Sequence, residues 1–418
     1  METTEKNIAE YIKDICVRAK KAAPEMAKAT AGQRNLALEN AAKLLRLERE
    51  AVKAANDLDM ASPAVPAKML DRLKLTDARI DGIADALEDL CRLPDPLGRG
   101  ETWTRPNGLR ISNVSVPLGV AAIIYEARPN VTFDAAALCI KTGNAVLLRG
   151  GKEAICTNRV LAELLRRALS EAGMPADGVI LVDDTSREGT QLLMGMRGYI
   201  DVLVPRGGAG LIRSVVENAR VPVIETGAGN CHVYIDRAAD MEKAVKIAVN
   251  AKVSRPSVCN AAENLIVHKD IAEAFLPKFA EAVKEYGVEL RGCERTLAIL
   301  PDITKATDED FFTEYNDLIL SIKVMDTLEE AIAHINLHST SHSEAIVTED
   351  RNAADIFKRD IDSAAVYVNA STRFTDGGEF GFGAELGIST QKMHARGPMG
   401  LDALTSRKYL IEGDGQTR

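Results

Sequence analysis

Gly119-Val-Ala-Ala-Ile-Ile-Tyr125 opens a series of short apolar runs that recurs at Ala145-Val-Leu-Leu148, Val179-Ile-Leu-Val182 and Ile200-Asp-Val-Leu-Val204. Helical patterns separate them: one over about 133–141, one over 154–171 closed by Gly173, and one running from the Gly-rich 207–210 to about Ala219. Runs that stay apolar instead of alternating with polar residues must be covered on both faces. This predicts a parallel sheet wrapped by helices. The class is doubly wound α/β, the usual home of dinucleotide cofactors.

Working outward, Thr226-Gly-Ala-Gly229 ends this block and a second one begins. Strands are expected at 231–235, 264–268, 318–324, 344–348 and 364–368, with helices at 240–251, 271–286 and 327–337. A second α/β domain beside the first implies a cleft, where chemistry usually sits. Upstream, 1–92 reads as helical. Ile8, Tyr11, Ile12 and Ile15 share one face, and Leu36, Leu44 and Leu45 mark a second segment. The Pro-rich 62–68 separates these from a third, for which Thr76 is the N-cap and Ile80, Ile83, Leu87 and Leu90 the inner face. Leu93-Pro-Asp-Pro-Leu-Gly-Arg-Gly100 punctuates the chain. After it, 109–116 looks extended, as an exposed hairpin or a strand pairing with another subunit. The C-terminal Arg407-Lys-Tyr-Leu-Ile-Glu412 also looks like an edge strand.

A chain of 418 residues holds two or three domains, and 46% hydrophobic with 27% charged residues is ordinary globular composition. The net charge of −9 offers no electrostatic footprint for nucleic acid or anionic lipid, so an anionic substrate must be gripped by local cations. The N-terminus lacks the apolar run of a signal peptide, and no stretch has the length a membrane helix needs. Seven cysteines without a CxxC pair read as free thiols in a reducing cytoplasm.

Candidate chemistry lies at three places. Cys259 sits in a predicted loop, Asn250-Ala-Lys-Val-Ser-Arg-Pro-Ser-Val-Cys-Asn260, with Arg255 nearby. A cation, or a helix N-terminus, would favour its thiolate, and the competing reading is a small buried hydrophobe. Arg206-Gly-Gly-Ala-Gly210 and Arg149-Gly-Gly-Lys152 each follow a strand and precede a helix, where a phosphate can meet bare N–H groups. Each is as readily a tight turn; two in one domain favour a cofactor. His334, His338 and His342 are spaced like metal ligands, but the Ser/Thr-rich 339–343 argues that the helix ends there and no carboxylate or thiol completes a set, so no metal is expected. The acidic 307–314 reads as a solvated loop.

Three long motifs add a resemblance. Pro117-Leu-Gly-Val-Ala-Ala-Ile-Ile-Tyr-Glu-Ala-Arg-Pro-Asn-Val-Thr132, Arg255-Pro-Ser-Val-Cys-Asn-Ala261 and Glu379-Phe-Gly-Phe-Gly-Ala-Glu-Leu-Gly-Ile-Ser389 occur in order. With them the chain resembles, over nearly its whole length, the gamma-glutamyl phosphate reductases (glutamate-5-semialdehyde dehydrogenases), a branch of the aldehyde dehydrogenase superfamily. The resemblance implies NADPH-dependent reduction of L-glutamyl 5-phosphate to glutamate 5-semialdehyde, with release of phosphate, in proline biosynthesis. Cys259 falls on the nucleophile, and Asn130 on the amide that holds the oxyanion. Arg149 falls near the cofactor ribose and Glu314 near the nicotinamide ribose, while Arg206, Gly207 and Gly208 form the pyrophosphate turn. Lys152 stands where NAD-preferring relatives often keep a Glu, and a cation there suits a 2′-phosphate, hence NADPH. Arg128, Arg255 and Arg373 flank the motifs as candidates for the substrate's anions.

Glu225 falls where hydrolytic relatives keep a water-activating base. It supports a rival reading, an aldehyde dehydrogenase making an acid; a non-catalytic nucleotide-binding protein is a second rival. The expected fold is aldehyde dehydrogenase-like. It has a cofactor domain at 1–97 and 118–227, with 381–400 returning to it, and a catalytic domain at 228–380. A small oligomerisation β-element is expected from 98–117 and 401–418. A homodimer or higher assembly, a cytoplasmic location and an upstream glutamate kinase complete the expectations.

Overall fold

The computed structural model describes residues 8–62, 70–126 and 128–418; apart from Ser62, the Pro-rich break at 62–68 lies outside them. The chain divides into two compact units. The first comprises Met1–Thr226, Gly381–Gly387 and Met399–Arg418, and the second Gly227–Phe380 and Ile388–Pro398. Residues 388–398 thus pack with the second unit, whereas the sequence reading returns all of 381–400 to the first.

The first unit opens with helices α1 (Ile8–Lys28), α2 (Ala31–Leu47), α3 (Arg49–Met60), α4 (Leu70–Leu73) and α5 (Asp77–Arg92). Thr76 caps α5, its hydroxyl accepting from the Arg79 N–H at 3.3 Å, and Ile80, Ile83, Leu87 and Leu90 face inward as expected. Strands β1 (Gly100–Thr104) and β2 (Arg110–Pro117) form a hairpin. The C-terminal strand Thr405–Glu412 pairs antiparallel along the other side of β2. The stretch read as an edge is therefore the middle of a three-stranded sheet, and its edges are β1 and the C-terminal strand.

Next come β3 (Val120–Tyr125), α6 (Asn130–Lys141), β4 (Ala145–Arg149), α7 (Ile155–Glu171), β5 (Val179–Leu181), α8 (Arg187–Met194), β6 (Val202–Arg206) and α9 (Ala209–Asn218). The four strands are parallel in the order β5-β4-β3-β6, and every residue of β3 is buried, as its unbroken apolar run requires. The chain leaves β3 for β4 on one side and returns as β6 on the other. The carboxyl ends of β3 and β6 therefore flank a topological switch point, where doubly wound folds bind ligands.

The second unit contains β7 (Cys231–Ile235), α10 (Met241–Val253), β8 (Ala262–His268), α11 (Lys269–Lys284), β9 (Glu289–Gly292), α12 (Glu294–Ile299), β10 (Thr304–Lys305), β11 (Ile319–Met325), α13 (Leu328–His338), β12 (Ser343–Val347), α14 (Arg351–Asp360) and β13 (Ala365–Val368). Its seven parallel strands run β10-β9-β11-β8-β7-β12-β13. One face packs Phe275, Leu276 and Phe279 of α11 onto Val233, Leu265 and Ile322; the other packs Ile335 and Phe357 onto Tyr234, Ile266 and Ile346. Residues 307–314 are exposed at Thr307, Asp308, Glu309 and Phe312, as a solvated loop would be, but Asp310 and Phe311 turn inward. Asp310 is buried and accepts from the Thr307 N–H and hydroxyl, Arg291 and the Tyr315 hydroxyl at 2.7–2.8 Å. Burial opposes its ionisation, but these donors hold its carboxyl well below the usual range.

Candidate active site

In the first unit the candidate groups gather at the carboxyl ends of β3, β4 and β6. Gly207 and Gly208 lead from β6 into α9, and the Gly208 N–H donates to the Glu126 carboxylate beyond β3 at 2.9 Å. A Cβ on Gly207 would lie 2.7 Å from that carboxylate, so only glycine lets the acid reach the helix N-terminus. An anion already occupies the turn at which a pyrophosphate is expected, which shows the turn's polarity. The side chain of Arg206 is tucked beneath Gly387 of the third motif. Gly387 has φ +142°, and a Cβ there would meet the Arg206 guanidinium at 2.8 Å.

One expectation for the other junction is corrected. The first N–H groups of α7 are not bare: Asp59 accepts from Cys156 and Thr157 at 3.1 and 2.8 Å. The Arg149 guanidinium turns to the protein, donating to the carbonyls of Thr185 and Ser186 at 2.7 and 3.1 Å. Lys152 remains exposed, with no carboxylate partner among the described residues. Arg128 is also exposed. Asn130 begins α6 and donates through its amide to Asp134, one turn on, at 2.9 Å. Burial pushes the Asp134 carboxyl up to about 6, against the opposing pull of the Asn130 amide and Arg206.

In the second unit the groups lie at the amino ends of the strands. Cys259 occupies a half-buried turn between the C-terminal end of α10 and β8, so the helix N-terminus weighed for its activation is absent. Lys252, on the last turn of α10, and Glu263, on β8, bracket this turn. Both are fully buried and pair at 2.5 Å. The other Glu263 oxygen accepts from the Asn316 N–H at 3.1 Å. Burial raises the Glu263 carboxyl to about 7 and lowers Lys252. Glu314 accepts from the Gly229 N–H at 2.7 Å. A Cβ on Gly229 would fall 1.4 Å from the Cys259 carbonyl oxygen, so that glycine is what lets the two loops touch. The neighbouring Asn260 is tied to 372–375: its amide donates to the Thr375 carbonyl at 2.9 Å, Thr372 donates to its carbonyl at 2.7 Å, and Arg373 donates to its side chain. Burial, and after it repulsion from the exposed Arg255, depresses Arg373. Arg255 has no ion-pair partner among the described residues.

The remaining thiols separate by environment. Burial pushes Cys16 and Cys139 up to about 12 and Cys231 well above its ordinary value. Cys293 differs. Burial raises it, but hydrogen bonds from Thr296 and from the N–H groups of Val324, Thr296 and Arg295 hold it below the ordinary value. The tilted rings of His334 and His338 lie with centroids 3.9 Å apart on α13, which ends at His338, so His342 falls in the turn just before β12. No group of three or more His, Cys, Asp or Glu among the described residues could hold a metal. Sequence reasoning missed Lys252, Glu263, Asp134 and Glu126. The legible signal was a charged residue inside an apolar strand, Ala262-Glu-Asn-Leu-Ile-Val-His268.

A model of the aldehyde dehydrogenase family matches residues 1–311. The chain is 55% identical to the gamma-glutamyl phosphate reductase of Moorella thermoacetica over 99% of this chain and 100% of that protein. It is 56% identical to that of Heliobacterium modesticaldum, over 96% of this chain and 97% of the relative. The crystal structure of gamma-glutamyl phosphate reductase from Thermotoga maritima superposes with a TM-score of 0.95 at 46% identity, covering 97% of this chain and 99% of that one.

Proposed function

We infer the reaction from one premise: this chain belongs to the aldehyde dehydrogenase family, within its gamma-glutamyl phosphate reductase branch. It reduces L-glutamyl 5-phosphate to L-glutamate 5-semialdehyde, releasing phosphate, with NADPH as reductant, and serves proline biosynthesis. The observation that carries this reading is the end-to-end match to relatives of that single name.

Cys259 attacks the acyl carbon as thiolate; the carbon–sulfur bond forms, the bond to the phosphate oxygen breaks, and phosphate leaves. Phosphate is a good leaving group, so one difficult displacement becomes two manageable steps. Asn130 and the Cys259 backbone N–H receive the oxyanion. NADPH, when bound, supplies the hydride that the Cys259 thioester accepts. The resulting thiohemiacetal releases the aldehyde and restores the thiol. Lys152 suits the 2′-phosphate because it is exposed and has no carboxylate partner among the described residues. The Gly207–Gly208 turn suits the pyrophosphate, which would replace the Glu126 carboxylate. Arg149 orders the 185–186 loop near the ribose and Glu314 serves the nicotinamide side. Arg255 and Arg373 are assigned to the substrate's phosphate or carboxylate, since they sit with Cys259 in one loop system, with Arg128 as a further cation. The reaction has no use for a water-activating Glu225, because hydrolysis of the thioester would waste the substrate.

The protein works as a homodimer or larger assembly in the cytoplasm, supplied by a kinase that phosphorylates glutamate. No helix among the described residues is long and apolar enough to cross a membrane. The test is NADPH oxidation with glutamyl phosphate generated in situ, together with semialdehyde oxidation in reverse. The reverse reaction should require phosphate or arsenate. Cys259→Ser should lower both rates by roughly 10³-fold or more while NADPH fluorescence titration is unchanged. Robust phosphate-independent oxidation by the parent would hand the case to the hydrolytic rival.

A further inference from the structure

We propose that Asp134 is a positioning residue for the reaction: its carboxylate selects the orientation of the Asn130 amide that presents an N–H to the oxyanion. The inference rests on the oxyanion role given to Asn130 above and adds a residue to it. A primary amide has two donors on nitrogen and an acceptor on the opposite side, and the two faces exchange by a half-turn. Flipped, Asn130 would aim a carbonyl oxygen at the developing oxyanion, which repels it. The orientation has to be fixed beforehand if the donor is to act without reorganising during the reaction.

The local geometry supplies that fixing. Asn130 and Asp134 stand four residues apart on α6, on the same face of successive turns. One N–H of the amide donates to the Asp134 carboxylate at 2.9 Å. The carboxylate accepts only, so the flipped amide would set oxygen against oxygen. The second N–H and the amide oxygen make no hydrogen bond among the described residues, which leaves one donor uncommitted. The positive charge of Arg206, wedged beneath Gly387, opposes the protonation of Asp134. An ordinary i,i+4 pair on a helix would affect stability alone; this one has its amide at the first helical residue, where the side chain is free to serve a ligand.

A double-mutant cycle decides the matter, with steady-state reduction of glutamyl phosphate as the readout. Asn130→Ala should lower kcat by about 10²–10³-fold, the usual loss for one oxyanion donor. Asp134→Leu, near-isosteric but unable to accept, should lower kcat by roughly tenfold or more while KM changes little. The double variant should be no worse than Asn130→Ala alone, because Asp134 acts only through that amide. Asp134→Asn, whose carbonyl can still accept, should recover much of the loss. NADPH binding and alkylation of Cys259, followed in a Cys293→Ser background, report folding in every variant and should stay at parental rates. Additive losses in the cycle, or a fully active Asp134→Leu beside a crippled Asn130→Ala, overturn the role of Asp134. A fully active Asn130→Ala instead overturns the oxyanion assignment itself, and the role of Asp134 falls with it.

Discussion

Lys152, proposed above to meet the 2′-phosphate, is where a single charge tests the cofactor reading. It sits exposed after β4 with no carboxylate partner among the described residues, while Asp59 already satisfies the N–H groups of the following helix. A cation with no carboxylate partner among the described residues is available to a 2′-phosphate; the neighbouring Arg149 donates to three backbone carbonyls instead. Lys152→Glu should therefore reverse the charge seen by that phosphate and let free ribose hydroxyls be accepted. The NADPH-over-NADH preference in kcat/KM should fall by at least about 10-fold, the equivalent of one lost ion-pair contact of roughly 1.4 kcal/mol. Unchanged selectivity would mean the 2′-phosphate is read elsewhere. The thiols teach the complementary lesson at this scale. Seven cysteines are alike in sequence, and their surroundings only narrow the choice: burial suppresses the ionisation of Cys16, Cys139 and Cys231, while Cys91, Cys156, Cys259 and Cys293 are all half-buried. Choosing Cys259 took the motif; its local sequence left it as one candidate among seven.

Between residue and fold, the element that matters is the turn joining α10 to β8, and its ends are held by a pair of opposite charges taken wholly out of water. Lys252 and Glu263 are each fully buried and meet at 2.5 Å. Removing one partner of such a pair strands the other, typically at about 3–5 kcal/mol, whereas replacing both with apolar side chains of similar size is often neutral. Lys252→Met and Glu263→Leu should each lower the urea midpoint markedly. The double variant should be more stable than either single, with slower reduction because the Cys259 turn has lost its anchor. Singles that add up in the double would show that the two charges act independently. The pair also explains what the sequence hid. Strands and helices were readable to within a few residues because apolar periodicity reports burial: β7 was expected at its observed bounds and β3 as a run buried on both faces. The same rule reads a charge as a sign of solvent, so it placed Asp310 in a solvated loop and passed over Lys252 and Glu263. The side-chain partners that make such burial tolerable come from distant parts of the chain and leave no local trace. For the same reason β9, β10, α12 and α14 went unseen; they are short, and tertiary packing completes them.

At the scale of the whole molecule the unanswered demand is at the sheet formed by β1, β2 and the C-terminal strand. Within one chain β2 is paired on both sides, which corrects its reading as an edge, but the C-terminal strand has β2 on one side only. That strand is exposed along nearly its whole length, and Tyr409, Leu410 and Ile411 are 59%, 45% and 62% exposed. Trp103 of β1 adds its ring edge-on to Tyr409, with centroids 6.4 Å apart. A row of open backbone groups beside four large apolar side chains is a combination that proteins cover, since left bare it pairs with whatever strand it meets. Because the exposed strand is the same on every copy, a two-fold arrangement in which one copy supplies the cover for the other closes the assembly without a free end. The expected species at micromolar concentration is therefore a dimer or a multiple of it, measured by sedimentation velocity. Tyr409→Lys with Ile411→Lys should move the protein toward monomer, because two ammonium groups cannot be desolvated in a paired interface. Their side chains lie on the open surface of the strand, so the thermal midpoint extrapolated to low protein concentration should change by no more than a few degrees. A parent that sediments as a monomer, or a double-lysine variant that keeps the parental assembly, would show that this strand faces solvent in the working enzyme.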